Sequence, residues 1–310
     1  MLSIIVVDYN SIEKTLGYIS HLREKIRCKG EIHFIVVDNY SNINDINMFV
    51  SGDKYDPVET LDFEGKPVKV YSFANSKLVY ISSGENAGYA KGNNLGMRFS
   101  KEYFSDEYYL VSNNDIEISK CFDFEEIKDI FDKNFDVAVI GPRIVGLDGV
   151  PQSPCNKPSA FGNLVMWHLS MATHDKLFKW NDVDYTKESK KCYRVMGSFM
   201  FMRAKAAHEA NLFDENTFMY AEEMILSERL LRHGYHVFFY DELTVIHAHG
   251  ESTGKIADPT IPVEWTFKSL CYYFEKYRNT SKAVLFIGKI VNRMYITLYK
   301  VKKRMSKNDS

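Results

Sequence analysis

The sequence predicts an α/β protein: a mixed, mainly parallel sheet flanked by helices, with a helical extension at the C-terminal end. Three observations predict it. Two continuous β-branched runs, Leu2–Asp8 (LSIIVVD) and Ile32–Asp38 (IHFIVVD), lie within the first 38 residues, and such runs read as parallel strands covered on both faces. A stretch with helical apolar spacing separates them, which makes a βαβ unit. A third apolar run, inside Glu107–Ile118 (EYYLVSNNDIEI), stops abruptly at Ser112-Asn113-Asn114-Asp115. A buried strand that ends in a carboxylate delivers it to the carboxyl edge of the sheet, where open α/β sheets bind ligands.

Taken in order, the chain opens with the first strand, broken by Tyr9-Asn10-Ser11. Ser11 is placed as the N-cap of a helix from Ile12 to Lys25 with apolar Leu16, Ile19 and Leu22. The second strand ends in Asp38, followed by Asn39. A short helix is expected over Ile43–Val50, a loop over Ser51–Lys66, and strands over Val68–Phe73 and Leu78–Ser82. Gly84–Phe99 (GENAGYAKGNNLGMRF) begins as a loop and runs into a helix carrying Asn93 and Asn94. It fits neither a phosphate-binding P-loop nor a dinucleotide fingerprint. After the focal strand come a helix over Phe122–Asn134 and a strand over Val137–Gly141. Pro142–Lys191 reads as irregular, a length that usually signals function. Tyr193–Met202 is strand-like around Gly197-Ser198. Tyr220–Gly234 (YAEEMILSERLLRHG) is a helix opening with Glu222-Glu223, where the helix dipole favours negative charge. Strands at Val237–Tyr240 and Leu243–His247 lead to His247-Ala248-His249, and helices over Val263–Tyr277 and Lys282–Arg304 follow.

Composition bounds the function. With 310 residues, 45% hydrophobic and 26% charged, the chain has an ordinary globular make-up and enough length for a substantial core. The five cysteines, Cys28, Cys121, Cys155, Cys192 and Cys271, form no C-x-x-C pair, which argues against a zinc or disulfide framework and for a cytoplasmic setting. The N-terminus lacks the basic and apolar regions of a signal peptide, and no apolar run is long enough to span a bilayer. Charge is uneven. Lys255–Ser310 holds 12 Lys/Arg against 4 Asp/Glu, and the rest of the chain 27 against 37. A basic tail points to an anionic partner.

Seven stretches carry a resemblance: IIVVDYN, FIVVDNYS, ENAGYAKGNNLG, YLVSNNDIEI, MGSFMFMR, FDENTFMYAEEMILSERLLRHGY and VIHAHGEST, spread over residues 2–254. In this order they resemble the inverting family-2 glycosyltransferases of the GT-A fold, and among them the bacterial cell-surface polysaccharide branch that includes rhamnosyltransferases. The resemblance implies a glycosyltransferase domain over 1–254 and a basic helical extension over 255–310. It implies a nucleoside-diphosphate sugar donor, UDP- or dTDP-linked by preference, and a glycan or polyprenyl-linked acceptor. Nucleic acid is not an expected partner. Tyr9 and Asn10 would cover the base. Asp38 would bind base or ribose, with Asn39 beside it. Asn86, Gly88 and Asn93 would border nucleotide and sugar, and Gly197-Ser198 would lie under the sugar or acceptor. Asn113-Asn114-Asp115 takes the place of the family's Asp-x-Asp. Asn113 replaces the first Asp, so Asp115 remains as the anionic ligand for Mg2+ or Mn2+, with His247 as a second ligand. Glu223 takes the place of the family's catalytic base, and Glu222 the Glu before it. The single-displacement chemistry needs such a carboxylate to take the proton of the attacking hydroxyl.

Two other readings follow from the residues. A nucleotidyltransferase would also use an acidic metal site, but would want a basic phosphate loop near the N-terminus. A catalytically inactive glycan-binding or scaffold member is favoured by Asn113. In the tail, Lys282, Lys289, Arg293, Lys300 and Arg304 fall on one helix face, which suits an anionic membrane surface and a peripheral location on the inner face of the cell membrane. The same helices could pair two subunits into a homodimer.

Overall fold

The computed structural model describes residues 1–42, 57–73, 76–174, 176, 180–248 and 258–308. The two β-branched runs form β1 (Leu2–Asp8) and β3 (Ile32–Asp38), which pair in parallel with Asp8 opposite Asp38. The helix between them, α1 (Ile12–Lys25), buries Ile12, Ile19 and Leu22. Its first turn differs from expectation. The Ser11 side chain makes no cap bond to the helix; its hydroxyl donates instead to Asp8 Oδ1 at 2.8 Å.

Among the described residues a sheet of 11 strands crosses the molecule. On the far side of β1 lies the focal strand β7 (Tyr108–Ser112), again parallel, with Val6 opposite Ser112. Beyond it come β12 (Phe199–Arg203), antiparallel to β7, then β10 (Val137–Val145) and β13 (His236–His247), parallel to each other. On the other side of β3 lie β6 (Ser76–Ser82), β5 (Lys66–Phe73) and the edge strand β4 (Pro57–Phe63). Two apolar cores sandwich the sheet, one under α1 and α3 (Phe124–Lys133), the other under α2 (Gly88–Tyr103).

Several expectations shift. Part of the segment read as a loop, Ser51–Lys66, is β4: its polar alternation is that of an edge strand. The helix expected over Ile43–Val50 lies outside the described residues. The two strands near the His247 end are one continuous β13. Pro142–Lys191 holds the end of β10, a π-helical turn over Gly162–Met166 and α4 (Trp167–Ala172). The two tail helices are α7 (Thr260–Lys276) and α8 (Lys282–Asn308). With Leu164, Val165 and Ile225, their residues Phe267, Leu270, Tyr273, Phe274 and Leu285 make a third buried cluster. The expected boundary at 254 lies outside the described residues.

Candidate active site

Because β1, β3 and β7 are parallel and in register, their acidic and amide ends arrive at one edge of the sheet. Two of the three carboxylates are consumed in building that edge. Asp8 accepts from the hydroxyls of Ser11 and Thr15 and, at 3.2 Å, of Ser41. Burial pushes its carboxyl above the usual range against the pull of these hydroxyls. Asp38 accepts from the Ser41 amide at 2.9 Å and presses against Tyr80, whose phenol is pushed up by burial first and by Asp38 next. Asn114 Nδ2 donates to Ser11 Oγ at 3.0 Å and to Thr15 Oγ1 at 2.7 Å, which locks the turn after β7 onto the first turn of α1.

The Asp115 side chain is 10% exposed. It lines two adjoining cavities of about 290 and 560 Å3, which share Tyr89, Asn113, Asp115 and Met219. Tyr9, Asn39, Asn86, Gly88, Asn114 and Trp265 line the smaller one. Asn39 ties its floor together: Nδ2 donates to Asn86 Oδ1 at 2.9 Å, and Oδ1 accepts from the Ala87 amide at 3.1 Å. Gly88 opens α2 at φ 84, and a Cβ there would sit 2.1 Å from the Phe218 carbonyl oxygen. Only glycine fits such an approach at positive φ.

The larger cavity is lined by Asp115, His247, Gly197, Ser198, Glu222 and Glu223, with Arg194 and Trp167. A register effect brings Asp115 and His247 together. The short strand β8 (Ile116–Glu117) pairs with the end of β13, placing His247 opposite Ile116. His247 Nε2 lies 3.3 Å from Asp115 Oδ1, and Nδ1 lies 3.0 Å from Gln152 Oε1. Burial raises the Asp115 carboxyl, but the hydrogen bond and charge of His247 outweigh it and hold the group below the ordinary carboxylate range. Among the described residues no group of three or more His, Cys, Asp or Glu side chains is placed to hold a metal. One carboxylate and one imidazole facing a cavity fit a divalent cation that takes its remaining ligands from phosphate oxygens and water.

Helix α6 (Glu222–Arg232) carries the paired glutamates. The chain enters it through Tyr220 and Ala221, both left-handed, at φ 71 and 67. Two successive non-glycine residues in that region store strain, which clusters at functional sites. Glu223 Oε1 accepts from the Gly197 amide at 2.8 Å, and the Gly197 carbonyl accepts from the Tyr89 hydroxyl at 2.7 Å. Glu222 is 2% exposed. Burial, then the charge of Glu223, pushes its carboxyl up to about 8, so it is largely protonated at neutral pH. The helix N-terminus favours the anion, but desolvation wins for this side chain. Among the described residues no ion pair reaches Glu222.

Asn10, Asp38 and Asn93 do not line either cavity. Asn10 and Asp38 shape the loops behind the wall, and Asn93 is buried within α2, donating to the Tyr89 carbonyl at 2.9 Å. Tyr89, Gln152, Arg194 and Trp265 were not singled out from the sequence. Tyr89 sat in plain view within the Gly/Asn segment. Trp265 and its neighbours Pro262 and Thr266 belong to α7, so the tail forms one wall of the cleft.

No family model matches the chain. It is 28% identical over 250 residues to the low-salt glycan biosynthesis hexosyltransferase Agl10 of Haloferax volcanii, an alignment covering 79% of this chain and 66% of that protein. Its structure is similar to the crystal structure of GalNAc-T7 with UDP, GalNAc and Mn2+, with a TM-score of 0.59 and 11% identity over 90% of this chain and 49% of the other. It is also similar to the mannosyltransferase PcManGT of Pyrobaculum calidifontis in complex with GDP-Man and Mn2+, with a TM-score of 0.53 and 10% identity over 97% of this chain and 75% of the other. The chain thus spans about two thirds of the curated relative and half of GalNAc-T7. The mixed sheet with its flanking helices is the GT-A glycosyltransferase fold, and in sequence the chain is a homologue of a hexosyltransferase.

Proposed function

We propose that this chain is a glycosyltransferase that moves a sugar, a hexose or deoxyhexose, from a nucleoside-diphosphate donor to a glycan or polyprenyl-linked acceptor, by a single displacement that inverts the anomeric centre. The observation that carries the reading is that Asp115 and Glu223, 108 residues apart in the sequence, line one cavity at the carboxyl edge of the sheet. The smaller cavity, walled by Tyr9 and Trp265 and floored by amides, suits a nucleoside. The donor sugar would then lie toward Gly197 and Ser198.

In the displacement the acceptor oxygen bonds to the anomeric carbon, the bond from that carbon to the diphosphate oxygen breaks, and the hydroxyl proton passes to a base. We assign that role to Glu223. The Gly197 amide fixes one carboxylate oxygen, and the other is left to meet the hydroxyl. Glu222, held neutral, offers a proton for hydrogen bonding to sugar or acceptor. A divalent cation, when bound by Asp115 and His247, would neutralise charge on the departing diphosphate. The relatives' names support the class of ligand: UDP with Mn2+ for GalNAc-T7, GDP-Man with Mn2+ for PcManGT. We place the protein at the inner membrane surface, held there by residues 282–304. No helix among the described residues is long and apolar enough to cross a membrane.

The inactive, glycan-binding reading is favoured by one observation: Asn113, which carries no charge, lines both cavities where the family has an acid. Incubation with a panel of UDP-, dTDP- and GDP-sugars and Mn2+ or Mg2+ separates the two. Release of nucleoside diphosphate from any donor supports the enzyme. Saturable binding of donor with no release from any of them supports the inactive member.

A further inference from the structure

Helix α8 presents an apolar stripe that nothing among the described residues covers. Phe286, Ile290, Met294, Leu298, Val301 and Met305 follow one another at steps of four, four, four, three and four, which keeps them on one face of a helix. All six are exposed, Phe286 at 64%, Leu298 at 65% and Met305 at 63%. The domain is held by a different face. Leu285 and Ile296 are buried, Gly288 lies against Leu164, and Asn292 Oδ1 meets His168 Nε2 at 2.9 Å. Between the packed face and the stripe runs an exposed basic rim of Lys282, Lys289, Arg293 and Lys300.

We infer that this stripe is the membrane-docking element of the protein: it inserts between the headgroups of an anionic bilayer, with the basic rim at phosphate level. The inference deepens the membrane part of the proposed function, in that apolar insertion and not the basic face alone holds the chain at the surface. Charge selects the occupant. From Lys282 to Asn308 the sequence has eight Lys/Arg and no Asp/Glu. A second copy seated on the stripe would set these cations against their own kind, whereas anionic lipid meets both the stripe and the rim. The long apolar stripe also exceeds what an isolated surface residue explains.

Docking there would orient the cleft. The π-helical turn and α4 against which α8 packs contribute Asn163 and Trp167 to the larger cavity. At its far end α8 returns to the start of α7. Asp258, held ionised first by the hydrogen bonds from Thr260, is also in the field of Lys300 and Lys303. Helix α7 then carries Pro262 and Thr266 into the cavity wall. The helix that binds the bilayer therefore packs against elements that wall the cavity holding Glu223, which suits an acceptor carried by a lipid.

The test is flotation of the full chain with vesicles of phosphatidylcholine containing about one third phosphatidylglycerol, beside vesicles of phosphatidylcholine alone. The wild type should float with the anionic vesicles. Met294→Asp with Leu298→Asp, both at exposed positions, should reduce the bound fraction about tenfold or more, while thermal stability and the shift given by UDP with Mn2+ stay as in the wild type. Lys289→Ser with Arg293→Ser should weaken binding and reduce its dependence on salt. Failure of the wild type to float, or unaltered flotation of the double Asp variant, overturns the inference. So does a concentration-dependent dimer, by light scattering, that the double Asp variant dissolves. A loss of donor turnover with intact flotation would touch the proposed chemistry alone.

Discussion

The Gly197 amide donates to Glu223 Oε1 at 2.8 Å, across 26 residues of sequence. That bond joins the segment before β12 to the first turn of α6, at the wall of the larger cavity. Under the proposed mechanism the backbone at 197 would position the base without any side chain there.

Gly197→Ala should therefore act on turnover. The new Cβ would lie 2.7 Å from both Glu223 Oε1 and the Tyr89 hydroxyl oxygen, so the carboxylate must shift. A displacement near 1 Å costs about 100-fold in a positioned reaction. Steady-state kinetics should show a fall of that order in kcat while nucleotide affinity stays close to wild type. An unchanged kcat would show that Glu223 needs no anchor at 197.

Asp115→Ala should weaken nucleotide binding in the presence of Mn2+ and leave metal-free binding nearly unaltered. Gln152→Ala removes the partner of His247 Nδ1 and, as loss of an outer-shell partner, should lower metal affinity by about 10–100-fold. Isothermal titration with UDP at several Mn2+ concentrations reads both. Superimposable curves for wild type and Asp115→Ala would remove the metal role.

Glu222 makes stability depend on pH. Its carboxyl is raised from an ordinary 4.5 to about 8 in the folded chain. Between those values the native state binds more protons than the unfolded state, so stability is full below about 4.5 and falls as pH rises through 8. Glu222→Gln mimics the protonated form. Its Tm should match the wild type near pH 5 and exceed it at pH 8.5. Parallel melting curves across that range would place the group in water.

Gly88→Ala should harm the fold. A Cβ at φ 84 and 2.1 Å from the Phe218 carbonyl forces the α2 entry and the loop before α6 apart. Left-handed strain alone is worth about 1–3 kcal/mol, and Tm should fall by about 5 °C or more. A scanning-calorimetry Tm equal to wild type would contradict the close approach.

Much of this was legible in the residues. Strands buried on both faces read as unbroken β-branched runs, so β1 and β3 were found to the residue, and the polar stop after Val111 marked the sheet edge where the cavities lie. The composition of a turn does not reveal which way its carboxylate points. Asp8 and Asp38 end their strands and Asp115 sits in the turn after β7, yet hydroxyls of Ser11, Thr15 and Ser41 absorb Asp8, a backbone amide takes Asp38, and Asp115 alone of the three, beside His247, lines the cavities. Edge strand β4 looked like a loop because its polar residues face water. Trp265 and Gln152 could not be placed, since helical spacing in the tail does not show that Trp265 joins the cavity wall, and a lone glutamine in a proline-rich segment does not show that it meets His247. The protonation of Glu222 came from burial, which a helix N-terminus in sequence does not show.

The central claim is that Glu223 takes the acceptor proton from a donor anchored beside Asp115. The direct measurement is Glu223→Gln, assayed for nucleoside diphosphate release from the best donor and for UDP binding with Mn2+ in the same preparation. We expect turnover to fall by about 100- to 10,000-fold, the range for loss of a general base, with the dissociation constant for UDP close to wild type. Turnover at the wild-type rate would contradict the account.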